Sequence, residues 1–269
     1  MQLSIIDTHA HLNMEAFDED RTDVISRALD VGISTIITVG INLESSKRAI
    51  ELAEEYPGIY ATAGIHPHDT TTITEADIVS LDVMAKHPRV VAIGETGLDF
   101  YRNYSPQENQ LQALEWQLDL AVKLDLPVVI HCRNAEREMH SLLLKWTSRY
   151  GYDNVPCKGV IHCFNGDIDN ARKYLNMGFH LSFGAYIGYP SSKEVHCVIR
   201  DIPADKLLIE TDCPFLPPQS HRGKRNEPAY LPFIVDILAQ IRRESPESIA
   251  RKTTENAIKL FRLQSNNKK

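Results

Sequence analysis

The feature that most constrains this fold is a regular alternation of short apolar runs and amphipathic segments along the 269 residues. Eight of the runs are rich in Val, Ile and Leu and are bounded by turn residues, which is typical of buried strands. Because the runs are nearly continuous rather than alternating, they favour parallel strands covered by helices. The predicted strands are Ser4–His9, Ser34–Gly40, Ile59–His66, Val90–Glu95, Pro127–Cys132, Gly159–Phe164, Phe179–Gly184 and Leu207–Asp212.

Helical patterns lie between these strands and after the last one. A single-domain (β/α)8 barrel over residues 1–263 is therefore predicted, followed by a polar tail, residues 264–269, that we expect to fray. A doubly wound open sheet is the alternative, but such a sheet binds its ligands at one switch point. The predicted helices are Glu19–Val31, Glu44–Tyr56, Glu75–Lys86, Pro106–Leu124, Ala135–Tyr150, Ile168–Met177, Ser191–Ile199, Leu231–Arg243 and Pro246–Phe261.

Composition narrows the class of protein. No apolar run approaches the roughly 20 residues of a membrane span. The net charge of −7 argues against general affinity for nucleic acid, although it leaves room for a local basic patch. The five cysteines form no CxxC pair and are odd in number, so they indicate neither a disulfide framework nor a zinc knuckle. With no secretory signal at the N-terminus, we expect a cytoplasmic monomer without a membrane partner.

Side chains that bind metal ions stand at the ends of five predicted strands. The carboxyl ends of barrel strands meet at one face, so these side chains predict one metal site there. They provide nitrogen and oxygen ligands without thiolates, which suits one or two divalent ions such as Mg²⁺, Mn²⁺ or Zn²⁺. The six residues are His9, His11, Glu95, His131, His162 and Asp212.

The individual positions suggest distinct roles. His9 and His11 are two residues apart, so on an extended strand both rings reach the same side. Glu95 has two carboxylate oxygens and can bridge two cations. Asp212 can bind a metal, orient the attacking water and accept its proton. Glu95 and Asp212 are therefore the predicted catalytic carboxylates.

His66 is the third predicted catalytic residue. Pro67 follows it and bends the chain outward, so we expect His66 to line the pocket and contact the substrate or leaving group without joining the metal cluster. A purely structural role is the alternative. Glu210, two residues before Asp212, is expected to contact the metal ligands without binding a metal ion itself.

Basic residues in the predicted loops suggest a phosphate-bearing substrate. Arg222, Lys224 and Arg225 follow the last strand, and Arg133 follows His131. Guanidinium groups match phosphate oxygens in a bidentate manner, although a run of cations is often only a solvated surface. Tyr101 is a candidate for stacking on a base, with ordinary packing as the alternative.

Seven stretches, in order along nearly the whole chain, carry a family resemblance. They are IDTHAHL (Ile6–Leu12), AGIHPH (Ala63–His68), IGETGLDFY (Ile93–Tyr101), VVIHCR (Val128–Arg133), GVIHCFNG (Gly159–Gly166), LLIETDCPFLPP (Leu207–Pro218) and HRGKRNEP (His221–Pro228). The chain resembles the TatD family of metal-dependent hydrolases and deoxyribonucleases, within the amidohydrolase-like barrels. The resemblance implies that the six candidate ligands bind one or two divalent ions, that Glu95 bridges them and that Asp212 assists the attacking water.

The predicted function is a divalent-metal-dependent hydrolase that uses a metal-activated water. The preferred substrate is DNA, at ends or in single strands, with 3′-5′ exonuclease-type cleavage. Hydrolysis of an ester or amide, for example by an aminoacyl-tRNA deacylase, is the alternative. Related amidohydrolases commonly bridge their metals with a carboxylated lysine, and Glu95 in that place disfavours the amide branch. A non-catalytic metal-binding scaffold is a third possibility.

Overall fold

The computed structural model of the protein describes residues 4–150 and 158–263, and it has the predicted (β/α)8 architecture. Eight parallel strands pair in sequence order, each with the next. The predicted tail, residues 264–269, lies outside the described residues. The strands are β1 (Ile5–Ala10), β2 (Ile33–Thr38), β3 (Ile59–Ala63), β4 (Val90–Asp99), β5 (Val128–Arg133), β6 (Gly159–Ile161), β7 (His180–Phe183) and β8 (Leu207–Ile209).

The helices surround this sheet, and two of them follow β8. The last begins as predicted, with proline in the first turn and the Ser245 hydroxyl accepting a hydrogen bond from the Ser248 amide at 3.2 Å. Within the described ranges, no helix combines the length and apolar character that crossing a membrane requires. The helices are α1 (Arg21–Asp30), α2 (Leu43–Glu55), α3 (Glu75–Ala85), α4 (Gln107–Leu124), α5 (Glu136–Arg149), α6 (Ile168–Asn176), α7 (Lys193–Asp201), α8 (Leu231–Arg242) and α9 (Pro246–Phe261).

Closure of the barrel excludes the open-sheet alternative. Just beyond β8, the Asp212 amide donates to the His9 carbonyl at 2.9 Å, and the His11 amide donates to the Cys213 carbonyl at 2.8 Å. The last strand therefore returns to the first. These bonds also place Asp212 directly beside His9 and His11.

Several predicted strand ends were wrong, and the errors fall at the candidate ligands. β6 and β8 end at Ile161 and Ile209, so His162 and Asp212 lie beyond them. β4 instead continues past Glu95 to Asp99. Asp212 has a left-handed backbone, with φ of 55°, which cannot continue a strand.

The N-terminal end of the barrel is filled by apolar side chains. On β5 and β6, Val129 and Val160 lie two residues before His131 and His162 and so share their inward direction. The end of α9 packs beneath this layer through Phe261 and the following Leu263. The buried residues of the plug, as we call this cluster, include Ile6, Ile37, Val91, Val129, Val160, Leu208, Phe261 and Leu263.

Candidate metal centre

Irregular pairing of β1 and β4 with their neighbouring strands directs the side chains of His9 and Glu95 into the barrel mouth. The β1–β2 register shifts between Asp7 and Ala10, and the β4–β5 register shifts between Ile93 and Thr96. Such bulges redirect side chains and are common beside active sites. They lie at the positions of His9 and Glu95, so simple alternation along a strand cannot predict where these two side chains point.

A glycine allows β4 and β5 to approach closely next to Glu95. Gly97 has φ of 146°, and a Cβ atom built there would lie 1.9 Å from the His131 carbonyl oxygen. Any other residue would therefore push the two strands apart. Gly97 thus helps to hold Glu95 and His131 together.

One oxygen of Glu95 faces the ligands from the first and last strands. Its Oε2 lies 3.4 Å from His9 Nε2. The two imidazole Nε2 atoms of His9 and His11 are 3.3 Å apart, and His11 Nε2 is 3.4 Å from Asp212 Oδ1. Ligands bound at about 2.0–2.1 Å to a tetrahedral zinc ion would be about 3.3 Å from one another. These four residues therefore fit around one cation.

The other oxygen of Glu95 faces a second group of histidines. Its Oε1 lies 2.9 Å from His162 Nε2 and 3.1 Å from His131 Nδ1, and these two nitrogens are 3.2 Å apart. His66 Nε2 is 3.4 Å from the same oxygen. The two carboxylate oxygens thus face two separate donor sets, which is the arrangement of a dinuclear site.

The outer nitrogens of two histidines show which ring atoms can bind a metal. His11 Nδ1 donates a hydrogen bond to the Val39 carbonyl at 3.4 Å, and His131 Nε2 donates to Asp99 Oδ2 at 3.3 Å. With the proton on the outer nitrogen, the inner nitrogen keeps a lone pair directed into the cluster. Both rings therefore suit metal coordination, and His162 Nδ1 lies 3.4 Å from Glu210 Oε1 on the outer side of the second donor set.

His66 has the opposite arrangement. Its Nδ1 accepts a hydrogen bond from the His68 amide at 3.1 Å, so in the neutral ring Nε2 carries the proton and points at Glu95. Burial lowers the pKa of His66 to about 4, which keeps the ring neutral at pH 7. The structure places His66 among the cluster rather than at its margin, but its tautomer favours donation over metal binding. Its contact with a substrate stays a prediction.

The electrostatics of the cluster favour bound cations. Burial opposes ionisation of Glu95, but His162, His66 and His9 outweigh it and hold the pKa of the carboxyl well below its usual range. Burial likewise opposes ionisation of Asp212, and the hydrogen bond with His11 overcomes it, so its pKa is also lowered. Both carboxylates are therefore negative at neutral pH, and divalent ions would compensate charges that are otherwise costly to bury.

Asp99 is a site residue that the sequence interpretation missed. Its buried carboxylate contacts His68 Nε2 at 2.9 Å and His131 Nε2 at 3.3 Å, and it accepts the backbone amides of Tyr101 and Arg102. These contacts lower its pKa although burial opposes ionisation. Asp99 therefore orients His131. Asp99 lies an even number of residues after Glu95, so on a longer strand it would be expected on the same face. The sequence prediction overlooked it because the predicted strand ended at Glu95.

Two arginine–tyrosine stacks lie at the barrel mouth. The Arg133 guanidinium lies 4.0 Å from the centre of the Tyr101 ring, and that of Arg222 lies 4.9 Å from the centre of Tyr189. Both arginines and Lys224 are exposed. The substrate contacts proposed for Tyr101, Arg133, Arg222 and Lys224 stay predictions, and their positions allow them.

Arg225 forms an ion pair within the protein instead of remaining available to a substrate. Its guanidinium binds both carboxylate oxygens of Asp20, at 2.8 and 2.7 Å, and lies 4.5 Å from the centre of the Phe17 ring. It therefore fastens the loop after β8 to the segment before α1, and we do not count it among the proposed phosphate contacts. Sequence could not reveal this partner, because Asp20 lies 205 positions away along the chain.

The barrel and its two donor sets define a metal-dependent hydrolase. Comparison with known families is specific: the model of the TatD-related DNases matches residues 6–262. The chain belongs to the TatD family.

Relatives match the chain along almost its full length. A Bacillus subtilis (strain 168) protein named as an uncharacterized metal-dependent hydrolase, YabD, is 41% identical, covering 96% of this chain and 99% of that protein. A Salmonella typhimurium (strain LT2) protein named 3′-5′ ssDNA/RNA exonuclease TatD is 36% identical, covering 96% and 99%. The crystal structure of YJJV, a TatD homolog from Escherichia coli K12, has a TM-score of 0.91 and 30% identity, covering 98% of this chain and 100% of that chain.

Proposed function

We propose that this protein is a divalent-metal-dependent exonuclease that releases nucleotides from the 3′ end of single-stranded DNA. The observation that carries the proposal is Glu95, whose two oxygens face two separate donor sets at 2.9–3.4 Å. Two adjacent cations suit in-line displacement at phosphorus. The exonuclease names of relatives that match the full chain support the choice of substrate and polarity.

The metal centre has a defined part in this proposal. His9, His11 and Asp212 would hold one ion, His131 and His162 the other, and Glu95 both. When bound, the ions supply Lewis-acid activation of water and of the phosphodiester.

The protein's own groups handle the protons. The Asp212 carboxylate, ionised at neutral pH, accepts the proton of the attacking water. His66, neutral and protonated at Nε2, donates a hydrogen bond to the leaving oxygen or to the phosphate. Burial of the cluster excludes bulk water and strengthens both interactions.

Exposed cations at the mouth would bind the substrate backbone. Arg133, Arg222 and Lys224 are available for phosphate contacts, and Tyr101 and Tyr189 offer aromatic faces beside two of them. These few residues reconcile a net charge of −7 with a nucleic-acid substrate, because attraction is needed only at the mouth. A monomeric state and a cytoplasmic location complete the proposal, and the four described cysteines are free thiols, as in a reducing compartment.

A metal-reconstituted nuclease assay tests the proposal. Protein stripped of metal and reloaded with Mg²⁺, Mn²⁺ or Zn²⁺ is given 5′-labelled single-stranded and double-stranded DNA, with an aminoacyl ester as the comparison substrate. We expect stepwise shortening of single-stranded DNA from the 3′ end. Metal-loaded protein that hydrolyses the ester but never releases nucleotides would overturn the proposal in favour of an esterase.

The binding surface can be tested separately. We expect Arg222→Ala to raise KM for DNA several-fold with little change in kcat, because it removes a phosphate contact rather than a reacting group. Arg251→Ala is the matched control, since Arg251 is an exposed arginine on α9 that pairs with Glu255. Equal KM values for the two variants would remove Arg222 from the binding surface.

A further inference from the structure

A small cavity lies near the metal cluster, and apart from Tyr101 and Arg133 its lining residues have no part in the mechanism described so far. Its volume is about 350 Å³, and it lies around the ends of β5 and β6 and the first turn of α5. Its inner wall is formed by three almost wholly buried residues, Ile161, Phe164 and Tyr174. The rest of the lining includes the side chains of Tyr101, Arg133, Asn134, Glu136 and Asn165.

The cavity adjoins the second donor set. Cys132 and Arg133 directly follow His131, and Ile161 directly precedes His162. Arg133 lies two residues after His131 on β5, so the two side chains leave the strand on the same side, and Arg133 also lines the cavity. A substrate held at Arg133 can therefore reach both the cavity and the metal cluster.

The lining suits a flat aromatic ligand with polar edges. Tyr101, with Arg133 stacked on it, provides an exposed planar surface for a ring, whereas the wall formed by Ile161, Phe164 and Tyr174 is almost wholly buried and only backs the cavity. At the polar rim, the side-chain amides of Asn134 and Asn165 make no hydrogen bond with other described residues and are free to bind a ligand edge. The Glu136 carboxylate disfavours a phosphate here and can accept from an amino group. A nucleobase has this combination of faces and edges.

The size of the cavity argues for one base only. Pockets for small molecules range from about 300 to 1,000 Å³, and this cavity is at the lower end. Buried Phe164 and Tyr174 close its inner side, so a strand cannot pass through it. A pocket that is closed on its inner side and holds one base favours the terminal nucleotide, because an internal nucleotide must carry the strand past the pocket on both sides.

We propose that this cavity holds the base of the 3′-terminal nucleotide and thereby selects strand ends for cleavage. The proposal rests on the proposed exonuclease function and adds the part of the substrate that the protein recognises. Recognition uses stacking and polar edges with few fixed partners, so we expect all four bases to be accepted.

Abasic substrates test the cavity directly. Three 5′-labelled single-stranded oligonucleotides are compared: one intact, one with an abasic residue at the 3′ end and one with an abasic residue at the penultimate position. We expect the terminal abasic residue to lower kcat/KM for the first cleavage about tenfold, the scale of one lost stacking contact. The penultimate abasic residue should have a smaller effect.

Two matched variants locate the effect. Asn165→Phe places a ring at the cavity rim, and we expect it to abolish the difference between the intact and the terminally abasic substrate. Asn176→Phe makes the same change at an exposed position at the end of α6, and it should keep the wild-type ratio. Metal content and circular dichroism are measured for both, so that altered folding is recognised.

The outcomes separate this proposal from the function on which it rests. If no DNA substrate releases nucleotides with any metal, the exonuclease function fails. If all three oligonucleotides are cleaved at equal rates, the function stands and the base site is wrong. A larger effect at the penultimate position would overturn the terminal assignment, and a wild-type ratio in Asn165→Phe would overturn the location.

Discussion

The two ends of the barrel contain the same strands but opposite chemistry. At the N-terminal end, inward side chains such as Val129 and Val160 form the plug with Phe261. Two residues further along the chain, His131 on β5 and His162 just beyond β6 face Glu95. One backbone therefore carries packing at one end and ionisable ligands at the other, as is usual for this fold. We expect changes at the mouth to remove function and changes at the plug to reduce stability.

The strongest test of this division is Glu95→Gln. Loss of the shared carboxylate should lower activity at least about 10³-fold and release metal, because neither donor set keeps its common negative ligand. The midpoint of thermal unfolding, measured without added metal, should change by only a few degrees. Unfolding of this variant at room temperature would show that the mouth also holds the barrel together.

Phe261→Ala tests the opposite end. Phe261 is only 2% exposed, and truncating a buried phenylalanine costs about 3–5 kcal/mol of unfolding free energy. Urea denaturation measures this loss. The folded variant should retain the wild-type kcat and metal content, and a large fall in kcat at full occupancy of the folded state would mean that the plug and the mouth are coupled.

Asp99→Asn sharpens the comparison within the mouth. An amide still fills the space but no longer holds His131 with a negative charge, so metal affinity should fall about 10–100-fold. Titration calorimetry measures the affinity, and saturating metal should restore most of the activity. Asp119→Asn, on the surface beside Arg149, is the matched control and should bind metal as the wild type does. Equal affinities for the two variants would remove Asp99 from the metal centre.

The smallest predicted effect concerns pH. Burial, with Lys206 nearby, lowers the pKa of His180 from 6.5 to about 4. Between pH 6.5 and 4 the His180 imidazole is protonated in the unfolded chain but stays neutral in the folded protein. The free energy of unfolding therefore falls as the pH drops through this range. From pH 7 to 5, the wild type should lose about 1–2 kcal/mol more than His180→Gln, as measured by urea unfolding. Parallel losses in both proteins would contradict this.

Periodicity predicts the barrel well, because each strand is a local apolar run bounded by turn residues. The six candidate ligands were visible for the same reason, since each follows such a run. What could not be predicted depends on contacts distant in sequence. Arg225 binds Asp20 and is therefore not available at the proposed substrate surface. The bulge at Glu95 sets its direction through pairing with β5, and the amide of His68 decides the tautomer of His66.

Closure of the barrel also has a consequence for protein synthesis. His9 and His11 are translated long before Asp212, which lies beside them in the folded protein. A nascent chain that already contains His9, His11 and Glu95 lacks the carboxylate needed to complete the first donor set. The order of translation therefore delays completion of this donor set until the last strand, β8, has been made.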